Sequence, residues 1–350
     1  MSKVIVGMSG GVDSAVAALL LKEQGYEVIG VTLRTLEGDD SRCCEIDDAR
    51  RSCEILGIRY HPHNCTSMFE KCVIKPFVSD YLKGLTPNPC IECNRYVKWA
   101  KLMELADIFG ADYVATGHYA FVERLDNGRY TVRQAAHIGK DQTYMLYKLT
   151  QSQLARTLMP LGQYTKDEVR ALADQAGLPC AHKGDSQEIC FVTEGKYSDY
   201  IHEHSSVPVP GSGDFVDGSG NVLGRHKGIF NYTVGQRKGL GIALGYPAFV
   251  TRINAEDNTV VLGTEEDLMC SSFCCRDVNF MSIPELEPGC SVQCLVKARY
   301  HQNARPAEVT SLGDGRVKVS LVEAVMGVSP GQSAVFYDGE GRVVGGGIIV

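Results

Sequence analysis

The sequence predicts an α/β domain with a mostly parallel sheet, followed by two small β-rich modules of which the last is a β-barrel. The chain has 350 residues, which is more than one domain usually holds. In the first half, short β-rich runs alternate with amphipathic helical patterns, as in a parallel sheet covered on both faces. After about residue 195, alternating β patterns and turn sequences replace the helical patterns.

Local signals place the elements of the first half in order. Runs of β-branched and apolar residues predict strands over 4–8, 28–33 and 113–116. Apolar residues at helical spacing, each run followed by a glycine, predict helices over 14–24, 47–56 and 95–109. Another helix is predicted over 67–83, where Pro76 must begin or kink a segment. The turn sequence Asp126-Asn127-Gly128 predicts a hairpin over 123–133, and helical patterns return at 152–158 and 166–176.

Composition changes mark the domain boundaries. A Pro- and Gly-rich stretch at 207–213 separates the helical half from the β-rich half. We therefore expect a catalytic domain over 1–200, a small central β-rich domain over 205–266 and a β-barrel-like domain over 268–350.

Charge and composition limit the classes of function. The formal net charge of −7 argues against a protein that coats nucleic acid through bulk charge, although a local basic face would still bind it. No apolar run is long enough to cross a bilayer, and the N-terminus does not resemble a secretory signal. A cytoplasmic protein is therefore expected, and its 14 cysteines should be reduced thiols.

The strongest motif is the glycine-rich stretch Gly7-Met-Ser-Gly-Gly-Val-Asp-Ser14, between a predicted strand and a predicted helix. Backbone N–H groups and the helix dipole favour phosphate at such a junction. A Walker A loop would need a lysine that this loop lacks. The string instead resembles the pyrophosphate loop of the N-type ATP pyrophosphatases, which cleave ATP between its α and β phosphates. Asp13 would act through Mg²⁺, while Gly117 and Leu33, near the ends of two strands, would border the adenosine.

A second motif, Thr86-Pro-Asn-Pro-Cys-Ile-Glu-Cys-Asn94, predicts a rigid extended loop that presents Cys90 and Cys93. Cys190 is a third candidate thiol. A structural zinc, a redox dithiol and sulfur transfer through a persulfide are three interpretations of these thiols. We interpret the remaining cysteines as packed thiols: Cys43, Cys44, Cys53, Cys65, Cys72, Cys180, Cys270, Cys274, Cys275, Cys290 and Cys294.

Taken together, these motifs resemble the bacterial tRNA-specific 2-thiouridylases over essentially the whole chain. The resemblance is carried by GMSGGVDS (7–14), TPNPCIECN (86–94), ATGHY (115–119), KDQTY (140–144), DSQEICF (185–191), YTVGQRKGLGI (232–242), ARY (298–300) and SPGQSAVFYDG (329–339). It implies ATP-dependent adenylation of C2 of a wobble uridine, then sulfur transfer that gives 2-thiouridine, AMP and pyrophosphate. It also implies a cysteine desulfurase or sulfur-relay protein as the sulfur donor.

The resemblance assigns roles residue by residue. Cys93 would be the nucleophile and Cys190 the persulfide carrier, ending as a Cys93–Cys190 disulfide. ATP would be held by Gly7, Met8, Ser9, Gly10, Gly11, Val12, Asp13, Ser14, Leu33 and Gly117. The tRNA would meet Asn88, Pro89, Cys90, His118, Lys140, Asp141, Gln142, Arg299, Tyr300 and Gln332.

One position departs from the family pattern, because much of the family has Asp where this chain has Cys90. Cys90, Cys93 and Cys190 would supply three thiolates for a [4Fe–4S] cluster, as in some related tRNA thiolases. The persulfide and cluster mechanisms both stay open at this point.

The β-rich half carries candidate RNA-binding charges. Arg225, Lys227, Arg237 and Lys238 fall in a stretch without acidic residues, and a second basic group contains Lys297, Arg299 and Arg305.

Two rival functions remain to be separated by experiment. One is a pyrophosphate-loop ligase that acts on a small acid, and the other is a non-catalytic iron–sulfur protein that binds RNA.

Overall fold

A computed structural model of the chain describes residues 1–36, 43–184, 189–192 and 195–350, without the side chains of residues 43–45. The first domain is built on a five-stranded sheet in the order β3-β2-β1-β4-β7, with every pairing parallel. Its strands are β1 (Lys3–Gly7), β2 (Glu27–Arg34), β3 (Arg59–Asn64), β4 (Tyr113–Ala115) and β7 (Thr157–Leu158). The hairpin of β5 (Ala120–Arg124) and β6 (Tyr130–Gln134) lies outside this sheet.

Alternation along the buried strands supplies two cores, one on each face of the sheet. Val4 and Val6 pack with the helices α1 (Val12–Glu23), α2 (Cys43–Leu56) and α8 (Lys166–Gln175). Ile5, between them, faces the opposite core, which contains α6 (Ala100–Phe109). The parallel sheet covered on both faces is therefore confirmed.

The segments around the cysteine motif differ from the prediction. The helix expected over 67–83 is divided into α3 (Thr66–Phe69), a π-helical turn (Glu70–Ile74) and α4 (Lys75–Leu82), with Pro76 in the first turn of α4. The rigid extended loop expected over 86–94 is wrong, because α5 (Pro89–Cys93) is helical and continues through a π-helical turn (Asn94–Trp99) into α6. Pro89 occupies the first helical position, and the side chain of Asn88 accepts a hydrogen bond from the Cys90 N–H.

Two further elements correct the sequence reading. The helix predicted over 152–158 is the short α7 (Gln151–Leu154), because residues 157–158 pair in the sheet as β7. The helix α9 (Tyr197–His204) and the edge strand β3 were not predicted.

The second half is β-rich, as expected. A four-stranded sheet has the order β10-β11-β8-β9 and is formed by β8 (Gly213–Val216), β9 (Val222–His226), β10 (Phe249–Asn254) and β11 (Thr259–Gly263). Six strands then close a barrel in the order β12-β15-β14-β13-β16-β17. They are β12 (Met269–Phe280), β13 (Ser291–Lys297), β14 (Arg305–Gly313), β15 (Arg316–Met326), β16 (Ser333–Tyr337) and β17 (Val343–Ile349).

The barrel packs directly against the first domain. Tyr144 and Tyr147 of the first domain share a core with Val335 and Tyr337 of the barrel. Tyr144 donates a hydrogen bond to the Ser333 carbonyl at 2.6 Å. Through this contact the barrel lies next to residues 145–148, which contact Glu92 and Asn94. Glu92 belongs to α5, which carries Cys90 and Cys93 and is called the cysteine helix below. In the part of the chain that the structure describes, no helix has the length and apolar character needed to span a membrane.

Candidate nucleotide and sulfur-transfer site

The glycine-rich loop joins β1 to the N-terminus of α1. Gly10 has φ +78°, a conformation that glycine adopts without strain. The Ser14 hydroxyl accepts from the Ser9 N–H at 3.1 Å and donates to the Gly11 carbonyl at 3.0 Å, so the loop is folded tightly on itself. Gly11 is the N-cap and places no side-chain acceptor on the first N–H groups of the helix. The loop thus has the geometry of an anion site at a helix N-terminus.

Asp13 is held by two residues far away in sequence. Lys166 contacts both of its carboxylate oxygens at 2.8 Å, and the Tyr119 hydroxyl donates to one of them at 2.7 Å. The Lys166 side chain is only 11% exposed, so this ion pair is largely shielded from water. Mg²⁺ would therefore compete with Lys166 for the Asp13 carboxylate.

Gly117 lies where β4 approaches the nucleotide loop. A Cβ atom at this position would stand 2.6 Å from the Asp13 carbonyl carbon and 2.7 Å from the Ser14 nitrogen. Only a residue without a side chain fits there. Leu33, near the end of β2, packs against two of the apolar cores. The structure thus gives Gly117 a role in packing the loop, whereas its contact with adenosine stays a prediction.

The two cysteines of α5 differ in their environment. Cys93 is 7% exposed and lies in an apolar core with Phe191 and Cys65. Desolvation by burial raises the pKa of the Cys93 thiol to about 12, although the positive charge of Lys98 acts in the opposite direction. Cys90 reaches solvent, but desolvation by the surrounding protein also raises its pKa.

Cys190 is exposed and lies within electrostatic range of both cysteines of α5. Residues 185–188 of the DSQEICF motif lie outside the described residues. The three candidate thiols therefore lie within electrostatic range of one another, with Cys93 buried and Cys190 open to solvent.

Lys98 connects the thiols to the nucleotide site. Its charge opposes, without overcoming, the rise that burial causes in the pKa of both α5 cysteines, and it also acts on His118, one residue beyond Gly117. Burial, and then this charge, lowers the pKa of His118 to about 3, so its ring is neutral near pH 7. The His118 Nδ1 lies 2.8 Å from the Thr116 hydroxyl. The charge of Lys98 thus acts on side chains of both candidate sites.

The side chains around the site also bear on whether it could hold a metal ion. Among the residues that the structure describes, no group of three or more His, Cys, Asp or Glu side chains is arranged to hold a metal ion. A [4Fe–4S] cluster held by Cys90, Cys93 and Cys190 stays a prediction.

Most of the side chains predicted to contact tRNA make hydrogen bonds within the protein. Asp141 is buried and accepts from the Ala135 N–H and the Thr143 hydroxyl, while burial raises its pKa. The Gln142 side chain accepts from the Tyr119 N–H. Lys140 is partly buried at the end of a 3₁₀ turn. Their contact with tRNA stays a prediction.

The predicted contacts in the barrel also bond within the protein. Arg299 donates to the Val234 carbonyl at 2.7 Å and to the Ser329 hydroxyl at 2.6 Å, and burial lowers its pKa. Tyr300 donates to the Asp141 carbonyl at 2.9 Å, and Gln332 donates to the Thr86 carbonyl at 2.7 Å. Arg225 lies on β9 and pairs with Asp214, whereas the other basic residues of this group lie between β9 and β10. All four are exposed: Arg225, Lys227, Arg237 and Lys238.

Three models of protein families match almost the whole chain. They are described as a tRNA methyl transferase HUP domain over 2–194, a tRNA methyl transferase PRC-barrel domain over 198–264 and an aminomethyltransferase β-barrel domain over 271–349. The chain is 48% identical over 360 residues to the tRNA-specific 2-thiouridylase MnmA of Lachnoclostridium phytofermentans, covering 100% of both chains. It belongs to the tRNA-specific 2-thiouridylase family.

Other members of this family match equally well. The tRNA-specific 2-thiouridylase MnmA of Acetivibrio thermocellus is 50% identical over 358 residues, covering 99% of each chain. A solved structure of a 4-thiouridine synthetase–RNA complex with bound ATP matches 58% of this chain and 50% of its own, at 18% identity and a TM-score of 0.38. The family assignment rests on the close relatives, and it confirms the resemblance predicted from the motifs.

Sequence reasoning missed three lysines of the site, Lys98, Lys148 and Lys166. Each falls in or beside a helical or turn pattern where a lysine normally faces solvent. One feature of the sequence could have predicted them. Asp13 and Glu92 lie within the two motifs, and a buried carboxylate needs a positively charged partner.

Proposed function

We propose that this protein is a tRNA-uridine 2-sulfurtransferase that acts in the cytoplasm on the wobble uridine of tRNA and uses ATP. The observation that supports this most strongly is the pairing of a pyrophosphate-type loop with a buried thiol, Cys93, and an exposed thiol, Cys190. A ligase that acts on a small acid has no need for such a pair of thiols.

The nucleotide loop supports the first step. Its N–H groups and the N-terminus of α1 would stabilise the negative charge that develops on pyrophosphate while the uridine C2 oxygen attacks the α-phosphate. Mg²⁺ bound with ATP would neutralise further phosphate charge, and Asp13 is the carboxylate that the loop offers it. The adenylated oxygen then leaves as AMP instead of as a poorer leaving group.

The exposure of the two thiols suits different roles in the second step. Cys190 is open to solvent, where a desulfurase or relay protein reaches it, and would carry the persulfide. The terminal sulfur attacks C2 and expels AMP. The Cys93 thiolate then attacks the Cys190 sulfur, which leaves the transferred sulfur on C2 and forms a Cys93–Cys190 disulfide.

The protonation of Cys93 restrains this chemistry until substrate is present. With a pKa raised to about 12, its thiol is protonated near pH 7 and is a weak nucleophile. Lys98 is the group placed to stabilise the thiolate once a proton acceptor is available. A thiol that stays protonated until then suits a cysteine that reacts only after the sulfur has been transferred to C2.

Cysteine variants with matched controls test the proposal. Cys93→Ser and Cys190→Ser are expected to abolish ATP-dependent thiolation of unmodified tRNA while ATP and tRNA binding persist. Cys294→Ser is the control for Cys93→Ser, because Cys294 is also buried and its pKa is also raised to about 12. Cys290, for which the interpretation as a packed thiol is wrong because it is exposed, supplies the control Cys290→Ser for Cys190. Full thiolation by either site variant would overturn the persulfide mechanism.

Two further measurements separate the rivals. Pyrophosphate release that requires tRNA supports the proposal, whereas release without tRNA indicates a small-molecule ligase and no release indicates a binding protein. The iron and acid-labile sulfide content of anaerobically purified protein addresses the cluster. Stoichiometric iron whose removal abolishes thiolation would replace the persulfide mechanism by a cluster held by Cys90, Cys93 and Cys190.

A further inference from the structure

A β-bulge in the C-terminal barrel faces the first domain. The register of β12 against β17 shifts between Arg276 and Asn279, and Asp277 within this shift has φ +51°. Asp and Asn are the residues other than Gly that best tolerate this left-handed conformation. Bulges redirect side chains, and here the side chains of Asp277 and Asn279 both contact the segment at residues 147–149.

The bulge holds Lys148 from three directions. The Asp277 carboxylate accepts from the Lys148 ammonium group at 2.8 Å. The Asn279 amide donates to the carbonyls of Tyr147 and Leu149, the two neighbours of Lys148, at 2.6 and 3.2 Å. Both the side chain and the flanking backbone of Lys148 are therefore fixed by the barrel.

Lys148 passes this contact on to the cysteine helix. Its side chain is 2% exposed, and its second carboxylate partner, at 2.6 Å, is Glu92, which stands between Cys90 and Cys93. Arg95, on the following turn, also pairs with Asp277 at 3.1 Å. A buried ammonium group without its carboxylates is costly, so these charges favour one placement of the helix.

The barrel also holds the segment just before the helix. The Thr86 N–H donates to the Pro330 carbonyl at 2.9 Å, and the Thr86 carbonyl accepts from the Gln332 side chain at 2.7 Å. The cysteine motif is thus attached to the barrel both before and after its cysteines.

We propose that Asp277 is a positioning residue for sulfur transfer, which through Lys148 and Arg95 fixes the cysteine helix so that Cys93 meets Cys190. This inference rests on the proposed function. Asp277 touches neither thiol, so it acts through the orientation of α5. The sulfur-transfer step depends on that orientation, whereas the adenylation site at the nucleotide loop does not contain these residues.

The test is Asp277→Asn, which keeps the left-handed conformation and a hydrogen-bond acceptor but removes the charge. We expect the kcat of thiolation to fall at least about tenfold, since small misplacements of reacting groups have effects of this size. The KM for ATP should stay within about twofold of wild type, and tRNA-dependent pyrophosphate release should fall much less than thiolation. Each pyrophosphate released would then yield less thiolated tRNA than in wild type. A general loss of structure would instead lower both activities together.

The control is Asp314→Asn, because Asp314 also has a left-handed backbone, with φ +52°, and is exposed on the same barrel. If Asp277→Asn does not fold, Arg95→Gln is measured in the same assays, and we expect it to lose less thiolation activity. Thiolation and pyrophosphate release that stay coupled as in wild type would overturn the positioning role. Absence of thiolation by the wild-type protein would instead overturn the proposed function.

Discussion

Gly117→Ala is the sharpest test of how the nucleotide loop is built. The added methyl group would stand 2.6 Å from the Asp13 carbonyl carbon, 2.7 Å from the Ser14 nitrogen and 2.9 Å from the Asp13 oxygen. All three are backbone atoms, which cannot turn away as a flexible side chain would. To reach an ordinary contact of 3.4 Å, the loop and the end of β4 must separate by about 0.8 Å.

The size of the effect follows from this displacement. Overpacking of a well-packed site costs about 1–3 kcal/mol, and backbone contacts favour the upper part of that range for the free energy of unfolding. The same displacement moves the N–H groups at Asp13 and Ser14, which belong to the proposed pyrophosphate site. A loss of about 1.4 kcal/mol in binding corresponds to tenfold weaker ATP affinity, and we expect at least that.

Isothermal titration with ATP and thermal unfolding measure the two effects. Gly139→Ala is the matched control, because a Cβ at Gly139 meets no atom within 4 Å. The control should retain wild-type affinity and Tm. Unchanged ATP affinity and Tm in Gly117→Ala would show that the loop does not need this close approach, and would refute the reasoning.

Two other predictions concern charge. The double variant Arg237→Ala/Lys238→Ala should weaken tRNA binding and make the negative slope of log K against log salt shallower by up to about 1.5. The control Arg50→Ala/Arg51→Ala on α2 should change neither, and filter binding across salt concentrations checks this. His118 is neutral when folded because burial lowers its pKa from 6.5 to about 3, so its contribution to stability is complete above pH 6.5 and is lost as the pH falls towards 3. His118→Gln should flatten that part of the profile of unfolding free energy against pH, and an unchanged profile would contradict the assignment.

The buried strands of the first domain could be predicted because both of their faces are apolar. β1 and the middle of β2 are continuous runs of buried residues, and the sequence shows them directly. β3 could not be predicted, because it is an edge strand with the polar sequence RYHPHN and no fully buried residue. Pairing with β2, a tertiary contact, makes it a strand.

The prolines of the cysteine motif misled the prediction of its conformation. Pro87 and Pro89 suggested an extended loop, because proline restricts the residue before it. The sequence Asn88-Pro89 also has the pattern of an N-cap followed by proline at the first helical position, and the structure follows that second pattern. The local signal was ambiguous, and the contacts of Glu92 and Asn94 with residues 145–148 favour the helix.

The residues of the candidate site also fall into a group that the sequence could predict and a group that it could not. The nucleotide loop and the cysteine motif are contiguous and could be recognised as such. Lys166 lies 153 residues beyond its partner Asp13, and Asp277 lies 129 residues beyond Lys148. Pairings across such distances depend on the packing of domains, which no pattern in one sequence reveals.

The attachment of Thr86 to Gln332 also has a consequence for synthesis. The two residues are 246 positions apart, and a ribosome adding about 5–20 residues per second takes roughly 12–50 s to pass from one to the other. The parallel sheet ends at β7, and α8, whose Lys166 pairs with Asp13, ends at Gln175, so a nascent chain contains all of these elements long before the cysteine helix gains its supports. Unfinished polypeptides would thus be able to engage ATP before they are competent to pass on sulfur.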